Sequence, residues 1–119
     1  MNVAVLGASN KPDRYSYKAL MMLKDKGHTP FPVHPSLKMV ESFSVHASLK
    51  GIPEVIDTIT VYLSAVNQKH VEEDILHSSA KRVIFNPGAE NKELAERLGK
   101  SGKTALNACT LVMLSTGQF

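Results

Sequence analysis

Cysteine is nearly absent. Cys109 is the only one in 119 residues, so no internal disulfide can form and a reducing, cytoplasmic setting is the expectation. Long apolar runs are missing too, and the longest fall far short of the roughly 20 residues that a helical bilayer span requires. No charged segment leads into an apolar leader at the amino terminus, where the apolar stretch reads instead as a strand. Basic clusters are also lacking. Fourteen lysines and arginines against eleven acids give a net charge of +3, spread along the chain, which argues against a nucleic-acid groove. The histidines (His28, His34, His46, His70 and His77) show no metal-ligand spacing, so no metal site is expected. Hydrophobic content of 43% and charged content of 21% are ordinary for a globular chain, and the length suits one domain around one core.

The most informative stretch that is present is Val3-Ala4-Val5-Leu6-Gly7-Ala8-Ser9, four apolar residues running into a glycine turn. A helical pattern follows. A buried strand, a glycine turn and a helix form the opening unit of nucleotide-binding α/β folds, in which loop amides and the helix start face a phosphate. Gly7 would let the backbone approach an anion without a Cβ in the way. A plain strand-to-helix turn would read the same way, so the turn alone does not decide.

Strands and helices alternate through the rest of the chain. A helix is predicted over 16–26, with Ala19, Leu20 and Leu23 on one face and Gly27 as its stop. Thr29–Val33 reads as a second strand, in which Pro30 and Pro32 restrict pairing. Residues 35–51 read as irregular, long enough to be a ligand loop. Residues 57–63 are β-branched and aromatic, a buried strand. Residues 67–79 read as one helix with Val71, Ile75 and Leu76 inward. A fourth strand at Arg82–Phe85 ends in Asn86-Pro87-Gly88, and Asn91 caps a helix running through Leu98. A short strand at Thr104–Asn107 and a helical turn at Thr110–Ser115 complete the pattern. Such alternation demands a parallel sheet with right-handed crossovers and helices on both faces. Ligand then lies beyond the carboxyl ends of the strands, among 7–14, 33–38, 63–67 and the Asn86-Pro87-Gly88 turn.

The ligand class follows from what this rim carries. Of the three glycine places of a dinucleotide fingerprint, held here by Gly7, Ser9 and Pro12, only the first is glycine. The second strand ends in Val33-His34-Pro35, with no carboxylate until Glu41 to grip a ribose diol. Lys11, Arg14 and Lys18 lie in or just after the first loop, where a pyrophosphate would sit.

Gly7-Ala8-Ser9, Pro12, Arg14-Tyr15-Ser16-Tyr17, Pro32-Val33-x-Pro35, Ser48-Leu49, Ile52-Pro53 and Asp57 together resemble the small single-domain coenzyme A-binding proteins. These are similar to the N-terminal CoA-binding domain of the succinyl-CoA synthetase α-subunit. Asn86-Pro87-Gly88-Ala89-Glu90-Asn91, Asn107-Ala108-Cys109-Thr110 and Thr116-Gly117-Gln118-Phe119 look like one branch of that family. The resemblance implies a Rossmann-like three-layer domain with about five parallel strands, for which the order 3-2-1-4-5 is expected. It further implies CoA or acyl-CoA held with its pyrophosphate at the first loop and its adenosine end near the second strand. Many relatives carry asparagine where this chain has His34. The synthetase's phosphorylated histidine lies in a second domain, so that activity does not carry over.

CoA carries a pyrophosphate and a 3′-phosphate, so basic groups and free amides suit it, whereas an acid after the second strand would repel it. Lys11 and Arg14 are the candidate phosphate contacts, with Ser9, Asn10 and Ser16 as further donors and His34 as a donor that tolerates an anion. The other candidates are Gly7, Ala8, Tyr17, Val33, Pro35, Leu63, Ser64, Asn86, Pro87 and Gly88. No catalytic residue is assigned. Glu72-Glu73 and Glu90, Glu93 and Glu96 read as helix faces. His70 and His77 read as surface, and Cys109 as a buried thiol. The expectation is a CoA-binding module, with a protein partner or a second copy left open and neither nucleic acid nor membrane involved. The competing expectation is an enzyme: an NAD(P)-dependent oxidoreductase unit, or an acyl transferase working through Cys109.

Overall fold

The computed structural model describes residues 1–119. Its strands are β1 (Asn2–Leu6), β2 (Thr29–Val33), β3 (Met39–Val40), β4 (Phe43–Ser44), β5 (Thr58–Val61), β6 (Arg82–Phe85) and β7 (Thr104–Asn107). The helices are α1 (Tyr15–Asp25), α2 (Ala65–Gln68), α3 (Glu72–His77), α4 (Lys92–Lys100) and α5 (Thr110–Ser115), with a 3-10 turn at Leu49–Gly51. Five strands form one all-parallel sheet in the order β2-β1-β5-β6-β7.

Side chains alternate across this sheet with the strand period of two. Val3 and Val5 face α1, where they pack with Leu20, Leu23 and Leu114 of α5. Ala4, Leu6, Ile59, Val61, Val83 and Phe85 face the other way, onto Ile75, Leu94 and Leu98. Two apolar layers on either side of one parallel sheet make this a three-layer, Rossmann-like fold. No helix is long and apolar enough to cross a membrane.

The strand order differs from the expectation. Counting only the five strands of this sheet, it is 2-1-3-4-5 rather than 3-2-1-4-5, because β5 lies against β1 and not outside β2. The prolines of β2 are the reason. Thr29 donates to Met1 and Val33 accepts from Gly7, so the odd positions of β2 face β1. Pro30 and Pro32 therefore turn their missing N–H donors toward the open edge, which cannot carry a regular ladder. What reaches that edge is a single isolated bridge: His46 donates to Pro32 and accepts from His34, both at 3.0 Å.

Residues 35–51 are more ordered than their composition implies. They hold the β3–β4 hairpin, whose Val40 is fully buried on the α1 face, and then the 3-10 turn, whose Leu49 packs on the opposite face. The segment thus wraps around the proline edge. Tyr17 ties it down by donating to Glu41, a turn residue at φ 51°.

The single helix expected over 67–79 is broken into α2 and α3 at Lys69–Val71. At the break Gln68 is completely buried and its amide is fully used. It donates to the carbonyls of Leu63 (2.8 Å) and Ala89 (2.7 Å) and accepts from Asn91 Nδ2 (2.8 Å). Asn91 in turn caps α4 by accepting from the Leu94 amide at 3.1 Å, the cap that its position implies. Gln68→Ala strands two carbonyls and one amide group, so a loss of about 2–3 kcal/mol is expected in urea denaturation. Val66→Ala on the exposed face of α2 should stay within about 0.5 kcal/mol of the parent.

Candidate functional site

Gly7 ends β1 at φ +89°, and its amide and that of Ala8 both donate to the Val33 carbonyl, at 3.2 and 3.1 Å. These two amides are therefore spent on holding β1 to β2 and not offered to a ligand. A Cβ on Gly7 would lie 3.1 Å from Leu63 Cδ2 and 3.3 Å from the Leu63 amide, so the glycine makes room for the end of β5. The free donors come next along the chain. Ser9 and Asn10 amides have no protein acceptor, and the Ser9 hydroxyl accepts from the Lys11 amide at 3.1 Å. Arg14 occupies the cap position of α1 in extended conformation, without a side-chain cap, and no acid lies in the first turn. The first amides of α1 thus stay open for an anion.

Two cavities meet here. One, of about 510 Å³, is lined by Gly7, Ala8, Ser9, Asn10, Lys11 and Arg14 together with Ser16, His34 and Pro87. The other, of about 470 Å³, is lined by Val33, Pro35 and Leu63, again with Gly7 and His34. Gly7 and His34 are the residues common to both walls, so they form the saddle between a polar chamber and an apolar one. Neither wall carries an aspartate or glutamate, and neither Lys11 nor Arg14 is in an ion pair. A third hollow of about 220 Å³ lies beyond the 3-10 turn, against Ile59 and His77, away from every candidate residue.

Four candidates lie outside these walls. Tyr17 turns to Glu41 and the α1-face core. Ser64 is exposed at the start of α2, and Gly88 is exposed with its amide on Glu90. Asn86 is buried and structural. Its Nδ2 donates to Thr60 Oγ1 (2.7 Å) and to the Val61 carbonyl (3.0 Å), while Oδ1 accepts from the Thr110 amide (2.9 Å). It thereby sets Pro87, which does line the polar chamber. Lys18 also lies outside, its ammonium 5.7 Å from the Tyr15 ring.

Several lining residues are not among the candidates: Leu37 and Asn67 fall within the predicted rim segments, Tyr15, Ser48 and Leu49 within the motifs that carry the resemblance, and the others carry no ligand signal in sequence. Tyr15, Leu37 and Tyr62 border the polar chamber, and Ser48, Leu49, Asn67, His70 and Val71 the apolar one. His70, though exposed, therefore lines the apolar chamber, while His77, beyond the helix break, borders neither chamber. Tyr62 is the exception: it neighbours Leu63 on the opposite face at the end of β5, and alternation alone marks it. Its hydroxyl is buried without a completed hydrogen bond, and burial pushes its pKa up to about 12, with the nearby Thr60 and Thr110 hydroxyls moderating the rise.

Gly7 and Gly27 allow a controlled comparison. Both sit at positive φ, but a Cβ would meet neighbours within 4 Å at Gly7 and open space at Gly27. Gly27→Ala should cost about 1 kcal/mol from conformation alone. Gly7→Ala should cost roughly 2–3 kcal/mol in the same urea titration, because Leu63 must also move.

The sequence profile of a family described as a CoA binding domain matches residues 1–115. The chain is 29% identical over 104 residues to the uncharacterized protein YneT of Bacillus subtilis (strain 168), covering 87% of this chain and 77% of that one. It is 27% identical to the subunit alpha of the ADP-forming acetate–CoA ligase II of Pyrococcus furiosus, covering 96% of this chain but 27% of the subunit. The crystal structure of an uncharacterized protein superposes with a TM-score of 0.91 at 39% identity, over 99% of this chain and 97% of that one. The chain belongs to the CoA-binding domain family and is related to the CoA-binding part of the acetate–CoA ligase alpha subunit.

Proposed function

We propose that this chain is a single binding domain for coenzyme A or an acyl-CoA, with no chemistry of its own, serving as a sensor, carrier or subunit. The observation that carries this reading is the carboxylate-free cleft in which a basic, amide-lined chamber adjoins an apolar one across Gly7 and His34. The pyrophosphate fits the polar chamber, against the Ser9 and Asn10 amides, Lys11, Arg14 and the start of α1. The adenosine end fits the apolar chamber beside Val33, Pro35 and Leu63. Asp13 stands between Lys11 and Arg14 in sequence but does not line the chamber. The ligand and the single thiol both suit the cytoplasm, the compartment we assign. Family membership and the kinship with a CoA ligase subunit support the ligand class.

Thermal melts test the assignment. CoA at about 100 times its dissociation constant should stabilise the parent by roughly 2.7 kcal/mol. Lys11→Ala with Arg14→Ala should remove most of that shift, and so should raising the salt, since exposed charge pairs are screened beyond about 8–10 Å at physiological ionic strength. A shift that neither change diminishes would take both residues out of the phosphate site.

Cys109 is half-buried at the cap position of α5, and no side-chain hydrogen bond engages its thiol. Cys109→Ser should therefore fold and bind CoA as the parent does. Loss of a measurable thioester hydrolysis or transfer activity in that variant would count against a binding module.

A further inference from the structure

His34 occupies the place where a dinucleotide-binding fold carries the acid that accepts from a ribose diol. Its ring is oriented by its own loop. Nδ1 accepts from the Leu37 amide at 3.0 Å and the Ser36 amide at 3.1 Å, with the Ser36 hydroxyl at 3.4 Å. A ring nitrogen that accepts two N–H bonds carries no proton, so the neutral imidazole keeps its proton on Nε2. Nε2 has no protein partner, and His34 lines both chambers. The backbone beneath is fixed as well, because the His34 amide donates to the His46 carbonyl at 3.0 Å.

We infer that His34 is the specificity-determining residue of this cleft, offering a neutral N–H donor that selects a ligand whose ribose carries a phosphate monoester over one with a free diol. The inference rests on the proposed function and assigns one of its preferences. A diol needs an acceptor at this point, and neither chamber wall supplies a carboxylate. A phosphate monoester needs donors, and a fixed N–H provides one without the cost of ordering a long side chain. Asparagine has the same two faculties, an oxygen for the Ser36 and Leu37 amides and an N–H₂ for the ligand. Aspartate keeps the first and inverts the second.

The test is a comparison of His34→Asn and His34→Asp by calorimetry with CoA, dephospho-CoA, NADP and NAD, with the thermal midpoint of each free variant as the folding control. The preference of the parent for CoA over dephospho-CoA should survive in His34→Asn within about threefold and fall by about tenfold or more in His34→Asp. An unchanged preference in His34→Asp, with CoA still bound, overturns the inference and leaves the proposed function standing. A change confined to the NADP and NAD pair overturns the assignment to the CoA ribose. A parent that binds none of the four ligands overturns the proposed function and this inference with it. A second measurement needs no ligand: ¹⁵N shifts of the His34 ring should show Nδ1 without a proton, and a protonated Nδ1 overturns the inference.

Discussion

The carbonyl oxygen of Val33 accepts from two successive amides, those of Gly7 and Ala8, and the geometry of the cleft follows from that junction. It locks the carboxyl end of β2 to the turn that leaves β1. The turn needs φ +89° at Gly7, and the space on its far side is already filled by Leu63. Three strand ends are thereby brought into contact around one residue without a side chain. The next amides along the chain, with no strand left to pair with, face the cleft. The polar chamber exists because the sheet hydrogen bonds run out at Ala8.

Two buried amides hold the rest of the rim. Gln68 joins the loop after β5 to the turn after β6 and to the cap of α4. Asn86 joins β6 to β5 and to the first turn of α5. A fully bonded amide in a low-dielectric interior fixes direction as well as distance, since each partner has one acceptable approach. Loops that are exposed on one side are thus fixed from underneath. Asn86 stands at a strand end where a ligand candidate is expected, and its side-chain amide is engaged by Thr60, Val61 and Thr110.

What is legible in the sequence is local. The buried strands, the glycine turn, the stop at Gly27 and the Asn91 cap each depend on a few neighbouring residues, and each lies where the pattern puts it. Pairing is harder to read. The alternating prolines of β2 are visible, but their consequence depends on which face of the strand meets β1, and that is set by residues far away in sequence. The helix break at Lys69–Val71 has no proline or glycine to announce it; it follows from the pull of Gln68 toward Leu63 and Ala89. The β3–β4 hairpin is too short to produce a periodic signal and is held by Val40 and by the Tyr17–Glu41 contact. Among the lining residues, those of the first loop are legible because a strand, a glycine turn and a helix start form a local pattern. The apolar chamber is assembled from four separate segments and is legible only where it touches a strand end.

The segment that wraps the β2 edge is a connection by topology but not by behaviour. Val40 is anchored in the layer under α1, His46 on the edge itself, and Leu49 in the layer under α3. Connections elsewhere on protein surfaces change length freely because little packs beneath them. Here an added or deleted residue between two anchors would pull one of them out of its layer, unless the exposed turn between β3 and β4 absorbs it. Length variation among sequences of this fold should therefore be admitted at the Glu41-Ser42 tip, where both residues are exposed, and refused on either side of it.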